Sequence, residues 1–186
     1  MKGLTWACAG LAVLVLAAPL HGQQRAIELG VDGGVHYMDP AGEGRDNRIW
    51  DVSFRLQNLR VGLHVTERVS LEPSVSFLRR DLGEDDLTQV SALGNVLYHF
   101  NEAGPAMRPQ FFGLAGGGLE YVRLSEEVGR ESDTQWLAGG GLGMRLPVAD
   151  QVALRTSATY WRAFESDLAP HANMIRGDLG LSLLIR

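Results

Sequence analysis

Histidines, carboxylates and arginines recur through this 186-residue chain at places where they could do chemistry. His36 and Asp39 stand near the end of an early apolar segment, and Glu165, Ser166, Asp167 and His171 cluster late in the chain. Covalent or acid–base catalysis would need a nucleophile and a base, or an acid pair, within hydrogen-bond reach. No His-x-Ser arrangement occurs late in the chain, where residues 160–166 read YWRAFES, and loop side chains of this kind are expected to be solvated. His64 and His99 lack the further ligands that a metal site needs and suit an interior hydrogen-bond network instead. Glu72 with Arg60 could be an acid–base pair or a buried ion pair. The repeated string LAGGGL, at 114–119 and 137–142, would cradle a phosphate only if a helix N-terminus followed. Each copy runs on into strand-like sequence, as in Leu119-Glu120-Tyr121-Val122, so its glycines are expected to let walls pack closely. No catalytic residue, cofactor or metal is expected.

The elements that position these residues alternate apolar and polar side chains with period two. Residues 60–78, RVGLHVTERVSLEPSVSFL, read as two strands about a tight turn, with Arg60, His64, Ser70, Glu72 and Ser74 opposite Val61, Leu63, Val69, Leu71, Val75 and Phe77. The pattern predicts strands over 26–38, 48–65, 69–80, 87–101, 108–124, 133–147, 151–163 and 173–186. In the second strand the phase slips near Asn58, which predicts a β-bulge, with Pro73 across from it sharing the irregularity. Short turns follow the second, fourth and sixth strands, and longer polar loops such as AGEGRDN, RRDLGEDD, SEEVGRESD and ESDLAPHAN follow the odd ones. An even number of strands joined in this manner describes an all-β protein: an eight-stranded, antiparallel, up-and-down transmembrane β-barrel of the bacterial outer membrane.

The ends and the composition agree with export. Lys2, an apolar stretch centred on 11–18 and Pro19-Leu20-His21-Gly22 lay out a secretory signal peptide over 1–23, leaving a barrel domain over 24–186. A membrane helix would need about 20 apolar residues, and Pro19 interrupts this stretch earlier. Cys8, the single cysteine, falls inside the signal, which excludes disulfides and thiolate metal sites from the exported chain. The formal net charge of −5 argues against a nucleic-acid partner.

Alternation alone would also suit a soluble, lipocalin-like binder with its oily face inward. Aromatic placement favours the membrane. Tyr37, Trp50, Phe77, Tyr121, Trp136 and Tyr160 fall on the apolar face near long loops, and Tyr98, Phe100 and Phe111 fall on it near short turns, as two girdles. The other face carries Glu28, Asp32, Asp51, Arg55, Arg60, Glu72, Glu120, Arg145, Arg155, Arg176 and Asp178 among many glycines and serines. An arginine facing lipid at mid-membrane would cost roughly 2–4 kcal/mol. These charges are therefore assigned to the lumen, where an eight-stranded barrel has just enough room for side chains that pair and plug it.

With Gly30-Val31-Asp32 in the first strand and the hairpin RVGLHVTERVSLEPSVSF, the chain resembles the small outer-membrane barrels of the OmpA-like transmembrane-domain and OmpX-like family. The resemblance implies the barrel fold, insertion by the barrel-assembly machinery, and a place in the outer membrane of a Gram-negative-type bacterium. The ending Leu184-Ile185-Arg186 departs from the terminal aromatic common in the family, and no peptidoglycan-binding domain is expected. Arg48, Arg79, Arg80, Arg123 and Arg162 fall where strands meet long loops, at the height of lipopolysaccharide phosphates, which arginine matches in geometry. The role expected is structural or surface interaction through four extracellular loops, with lipid and lipopolysaccharide as partners and the loop ligand open. The alternatives are a small non-specific porin, an outer-membrane lipid-modifying enzyme and the soluble binder.

Overall fold

A chain that alternates large apolar and polar residues can bury only one face of each strand, and closing the sheet on itself removes the two edges that would otherwise stay unpaired. The computed structural model describes residues 27–40, 49–81, 86–101, 108–126, 129–166 and 171–185. Its strands are β1 (Ile27–Pro40), β2 (Ile49–His64), β3 (Val69–Asp81), β4 (Asp86–His99), β5 (Gln110–Glu126), β6 (Gly129–Pro147), β7 (Val152–Ala163) and β8 (Ala172–Ile185). Each pairs antiparallel with the next, and β1 closes on β8 from Ile27↔Ile185 to Pro40↔Ala172. The architecture is the expected eight-stranded barrel, with β6 beginning four residues earlier than the alternation placed it. The segment assigned as signal peptide and the loop containing Arg48 lie outside the described residues.

The oily faces point outward. Leu59, Leu142 and Leu179 are each at least 60% exposed, and Leu71, Val75, Phe77, Ile175, Leu181 and Leu183 join them on the outer wall. Aromatic side chains mark both ends of it: Phe77, Trp136 and Tyr160 toward the long loops, Tyr98, Phe100 and Phe111 toward the short turns. Tyr37 and Tyr121, on the same face, are half-buried. Trp50 pairs with Tyr37 in the β1–β2 ladder, and its side chain lies outside the described residues.

The irregularity near Asn58 is larger than a single extra residue. Asp32 pairs with Asn58 and Gly34 with Ser53, so five positions along β2 oppose two along β1. Past the shift the ladder resumes with Gly34↔Ser53, Val35↔Val52 and His36↔Asp51. Pro73 lies apart from that shift. The β2–β3 ladder holds Arg60↔Ser74 and Leu63↔Leu71 with no pair between them, opposite the proline that lacks an N–H.

The LAGGGL copies do occupy adjacent strands in one phase, crossing at Gly116↔Gly139 and Leu114↔Gly141. Bare backbone is needed there: a Cβ on Gly141 would collide with the Ala158 carbonyl oxygen, and one on Gly143 with the Phe112 ring. Gly94, on the outer wall, has nothing within 4 Å of its would-be Cβ. Gly141→Ala should therefore destabilise the barrel by about 1–3 kcal/mol, while Gly94→Ala should stay within about 0.5 kcal/mol of the parent. Urea unfolding in lipid vesicles, followed by the heat-dependent gel-mobility shift, measures both.

Candidate functional site

Alternation on each strand turns a column of polar side chains into the lumen, and the short-turn half concentrates its charges there. Arg60 is the hub. Its Nε donates to Asp32 Oδ2 at 2.8 Å, Nη1 to Glu28 Oε1 at 2.5 Å and Glu72 Oε2 at 3.4 Å, and Nη2 to Ser182 Oγ at 2.6 Å. Gly30 leaves the space that the guanidinium fills, since any Cβ there would overlap it. Arg145 donates to the other oxygen of Glu28 and, at 3.1 Å, to Gln110 Oε1. Arg155 holds both oxygens of Glu72, one at 2.9 Å, while its guanidinium sits 4.6 Å from the Phe112 ring centroid. Glu28, Asp32, Arg60, Glu72, Arg145 and Arg155 are each no more than 5% exposed, and their three carboxylates match three guanidiniums. Burial of such ions is tolerable only because every charge has opposite-charge neighbours and hydrogen bonds.

Two histidines extend this network toward the short turns. The His64 and His99 rings stack at 5.5 Å, His99 Nε2 lies 2.9 Å from Ser70 Oγ, and Arg145 Nη1 approaches His64 Nε2 at 3.5 Å. Among the described residues no group of three or more His, Cys, Asp or Glu is placed to hold a metal ion.

The remaining lumenal candidates lie elsewhere. Glu120, near the long-loop end, accepts 2.6 Å bonds from the amides of Gln89 and Gln135 and has no arginine partner among the described residues. Asp178 faces His36 at 3.7 Å and Ser157 at 3.5 Å. This trio has its carboxylate in the middle, whereas nucleophile activation needs the imidazole between hydroxyl and carboxylate. Arg176 reaches the Met174 sulfur at 3.8 Å. Asp51 and Arg55 lie on β2, and their side chains are outside the described residues.

Asp39 and Glu165 are exposed, His171 is half-buried, Ser166 donates to Asp133, and Asp167 is outside the described residues. At the long-loop rim, Arg123 pairs in register with Thr88 and Ser132, and Arg162, exposed on the outer wall, with Ala138 and Asn173. Arg79 and Arg80 belong to β3, with side chains outside the described residues, as is all of Arg48.

The lumen differs from a purely polar plug in one respect. Leu93, Leu97, Phe112, Leu114, Leu137, Trp161 and Met174 also point inward and are buried. Trp161 donates its indole N–H to Thr159 at 3.0 Å, within an apolar layer above the ion cluster. Sequence reasoning missed these residues, along with Gln89, Gln135 and Ser157.

An outward apolar wall around a lumen of paired charges is the inverse of a soluble barrel, and the sequence profile of one family spans nearly all of it, over residues 8–183. The chain belongs to the outer membrane protein beta-barrel domain family. Solved structures agree on the fold. Neisserial surface protein A superposes with a TM-score of 0.68 at 11% identity, covering 85% of this chain and 97% of that one. Ail, the attachment invasion locus protein of Yersinia pestis, solved in complex with the heparin analogue sucrose octasulfate, gives 0.57 at 15%, covering 88% and 100%. A major outer membrane protein of Thermus thermophilus gives 0.57 at 10%, over the same shares. No curated protein matches the chain in sequence.

In this outer-membrane barrel, Glu72→Gln should cost about 3–5 kcal/mol, because it strands Arg155 as an uncompensated buried charge. Replacing the pair together, Glu72→Leu with Arg155→Met, should cost clearly less than the single change. Equilibrium urea unfolding of the variants in lipid vesicles checks the order.

Proposed function

We propose that this outer-membrane barrel is a non-enzymatic structural and surface-interaction protein. The observation that carries the reading is the lumenal ion cluster: Arg60 spans Glu28, Asp32 and Glu72 from the wall of β2, with Arg145 and Arg155 completing the pairing. Side chains locked across a narrow barrel stabilise a wall and obstruct passage, which favours this role over a non-specific pore. The trio of His36, Asp178 and Ser157, with its carboxylate in the middle, favours it over a lipid-modifying enzyme, since nucleophile activation needs the imidazole between hydroxyl and carboxylate.

Recognition would then fall to the long-loop end, facing the cell exterior. There Arg123 and Arg162 point from the outer wall, and Arg48, Arg79 and Arg80 lie at comparable places in the sequence. Guanidinium groups at that height suit the phosphates of lipopolysaccharide, and the heparin analogue sucrose octasulfate, with which Ail was solved, is likewise anionic. Insertion would use the barrel-assembly machinery.

Three measurements test the reading. Arg123→Ala with Arg162→Ala should lower the lipopolysaccharide that co-purifies with the barrel, and an unchanged amount would remove the collar. Planar-bilayer recording should show no steady conductance. Lipid A mass spectra should be the same with and without expression, and a mass shift would restore the enzyme alternative.

A further inference from the structure

Two rows of outward aliphatic side chains run side by side across the wall near the short turns. Ladder pairing puts Val152 beside Leu183, Leu183 beside Leu29 and Leu29 beside Val61. Arg60↔Ser74 and Leu63↔Leu71 keep one register, which brings Pro73 opposite Val61 at the end of this row. The second row is Leu181, Val31, Leu59 and Val75, each the partner of the next. Rows two residues apart along a strand stand roughly 6.7 Å apart. Between them pass Ser182, Gly30, Arg60 and Ser74, which also pair in series. The serines and Arg60 bury their side chains in the lumen and Gly30 has none, so backbone floors the furrow. Its hollow of about 650 Å³ falls within the roughly 300–1,000 Å³ of small-molecule sites.

The furrow has a direction. Val152 opens β7, Leu183 and Leu29 lie two places from the short-turn ends of their strands, Val61 three and Pro73 four. It therefore starts at the short-turn rim and climbs into the wall. Five strands roughly 4.8 Å apart give it a length of about 19 Å. With strands tilted by about 40°, the rows lie about 50° from the membrane normal and rise about 12 Å, within the roughly 15 Å of one leaflet. The short turns of such barrels face the periplasm, so that leaflet is the inner one.

We infer that this furrow holds one acyl chain of a periplasmic-leaflet phospholipid, with the headgroup at the Val152 end and the terminal methyl toward Pro73. The place of the furrow selects the occupant: it is continuous with the lipid-facing wall and opens at the rim, where headgroups lie. Bulk lipid is as apolar as the wall, so retention comes from packing. An acyl chain between two fixed rows gains dispersion contacts on three sides at once. The slot backs onto the ion cluster, since its floor is the backbone of Arg60 and Ser182, whose side chains meet at 2.6 Å inside. The site is independent of the proposed surface role, since it needs neither the loops nor the rim arginines.

The test uses the full chain in nanodiscs of phosphatidylglycerol mixed with lipid A, released for native mass spectrometry. The barrel should retain one phosphatidylglycerol after the remaining lipid is stripped. Val31→Phe and Val61→Phe, made singly, each put a ring into the furrow and should abolish that adduct. Leu142→Phe, on the exposed wall of β6, should leave it. Should one furrow variant fail to give the heat-shifted folded band, the other decides, and a second readout needs no variant. In the isotope-labelled wild-type chain, phosphatidylglycerol with a nitroxide near the end of one acyl chain should broaden the Leu59 methyl signals more than those of Leu142. The two leucines lie equally deep, five places from the short-turn ends of β2 and β6, on opposite sides of the barrel. Equal broadening, no retained lipid, or lipid A or a second copy of the protein in place of phosphatidylglycerol would overturn the inference. So would an adduct that survives the furrow substitutions, or one that Leu142→Phe also removes.

Discussion

A guanidinium inside an eight-stranded barrel cannot keep its water shell, because side chains already fill the lumen. Arg60 must therefore find all its partners on other strands, and it does so on β1, β3 and β8 at once. That requirement fixes much else. Glu28 and Asp32 must share a face of β1, Glu72 must stand at the matching height on β3, and Gly30 must stay bare beneath the guanidinium. The two further arginines then balance the surplus carboxylates, so that the cluster is neutral as a set and intolerant of losing one member.

Wall geometry serves the same end. The register shift of β2, five of its positions against two of β1, lets one strand hold both the Asp32↔Asn58 and the Gly34↔Ser53 pairings. The glycine crossing of β5 and β6 lets Phe112 lie flat against Gly143 and come under Arg155. Close backbone approach on one side of the barrel thus makes room for the aromatic floor on which the charge cluster rests.

Strand order and wall orientation were readable from the residues, because a lipid-facing wall and a charged lumen write opposite signals on alternate positions. β8 shows this most cleanly, with Leu179, Leu181 and Leu183 against Asp178, Gly180 and Ser182. The inward apolar layer was not readable for a physical reason. Phe111 and Phe112 are neighbours, as are Tyr160 and Trp161, so one of each pair must enter the lumen and composition does not say which. β4 carries Leu93 and Leu97 inward while Ala92 and Gly94 face out, which erases the contrast on that strand. The amide partners of Glu120 and the Asp178–Ser157 contact depend on cross-strand register, which alternation does not encode.

The account rests on the oily face meeting lipid while the ion cluster stays inside. Nitroxide labels placed one at a time from Leu179 to Leu183, in nanodiscs, report this directly through accessibility to oxygen against a water-soluble nickel complex. The account predicts high oxygen accessibility at 179, 181 and 183 and low accessibility at 180 and 182. The opposite phase, or nickel access at 181, would contradict it.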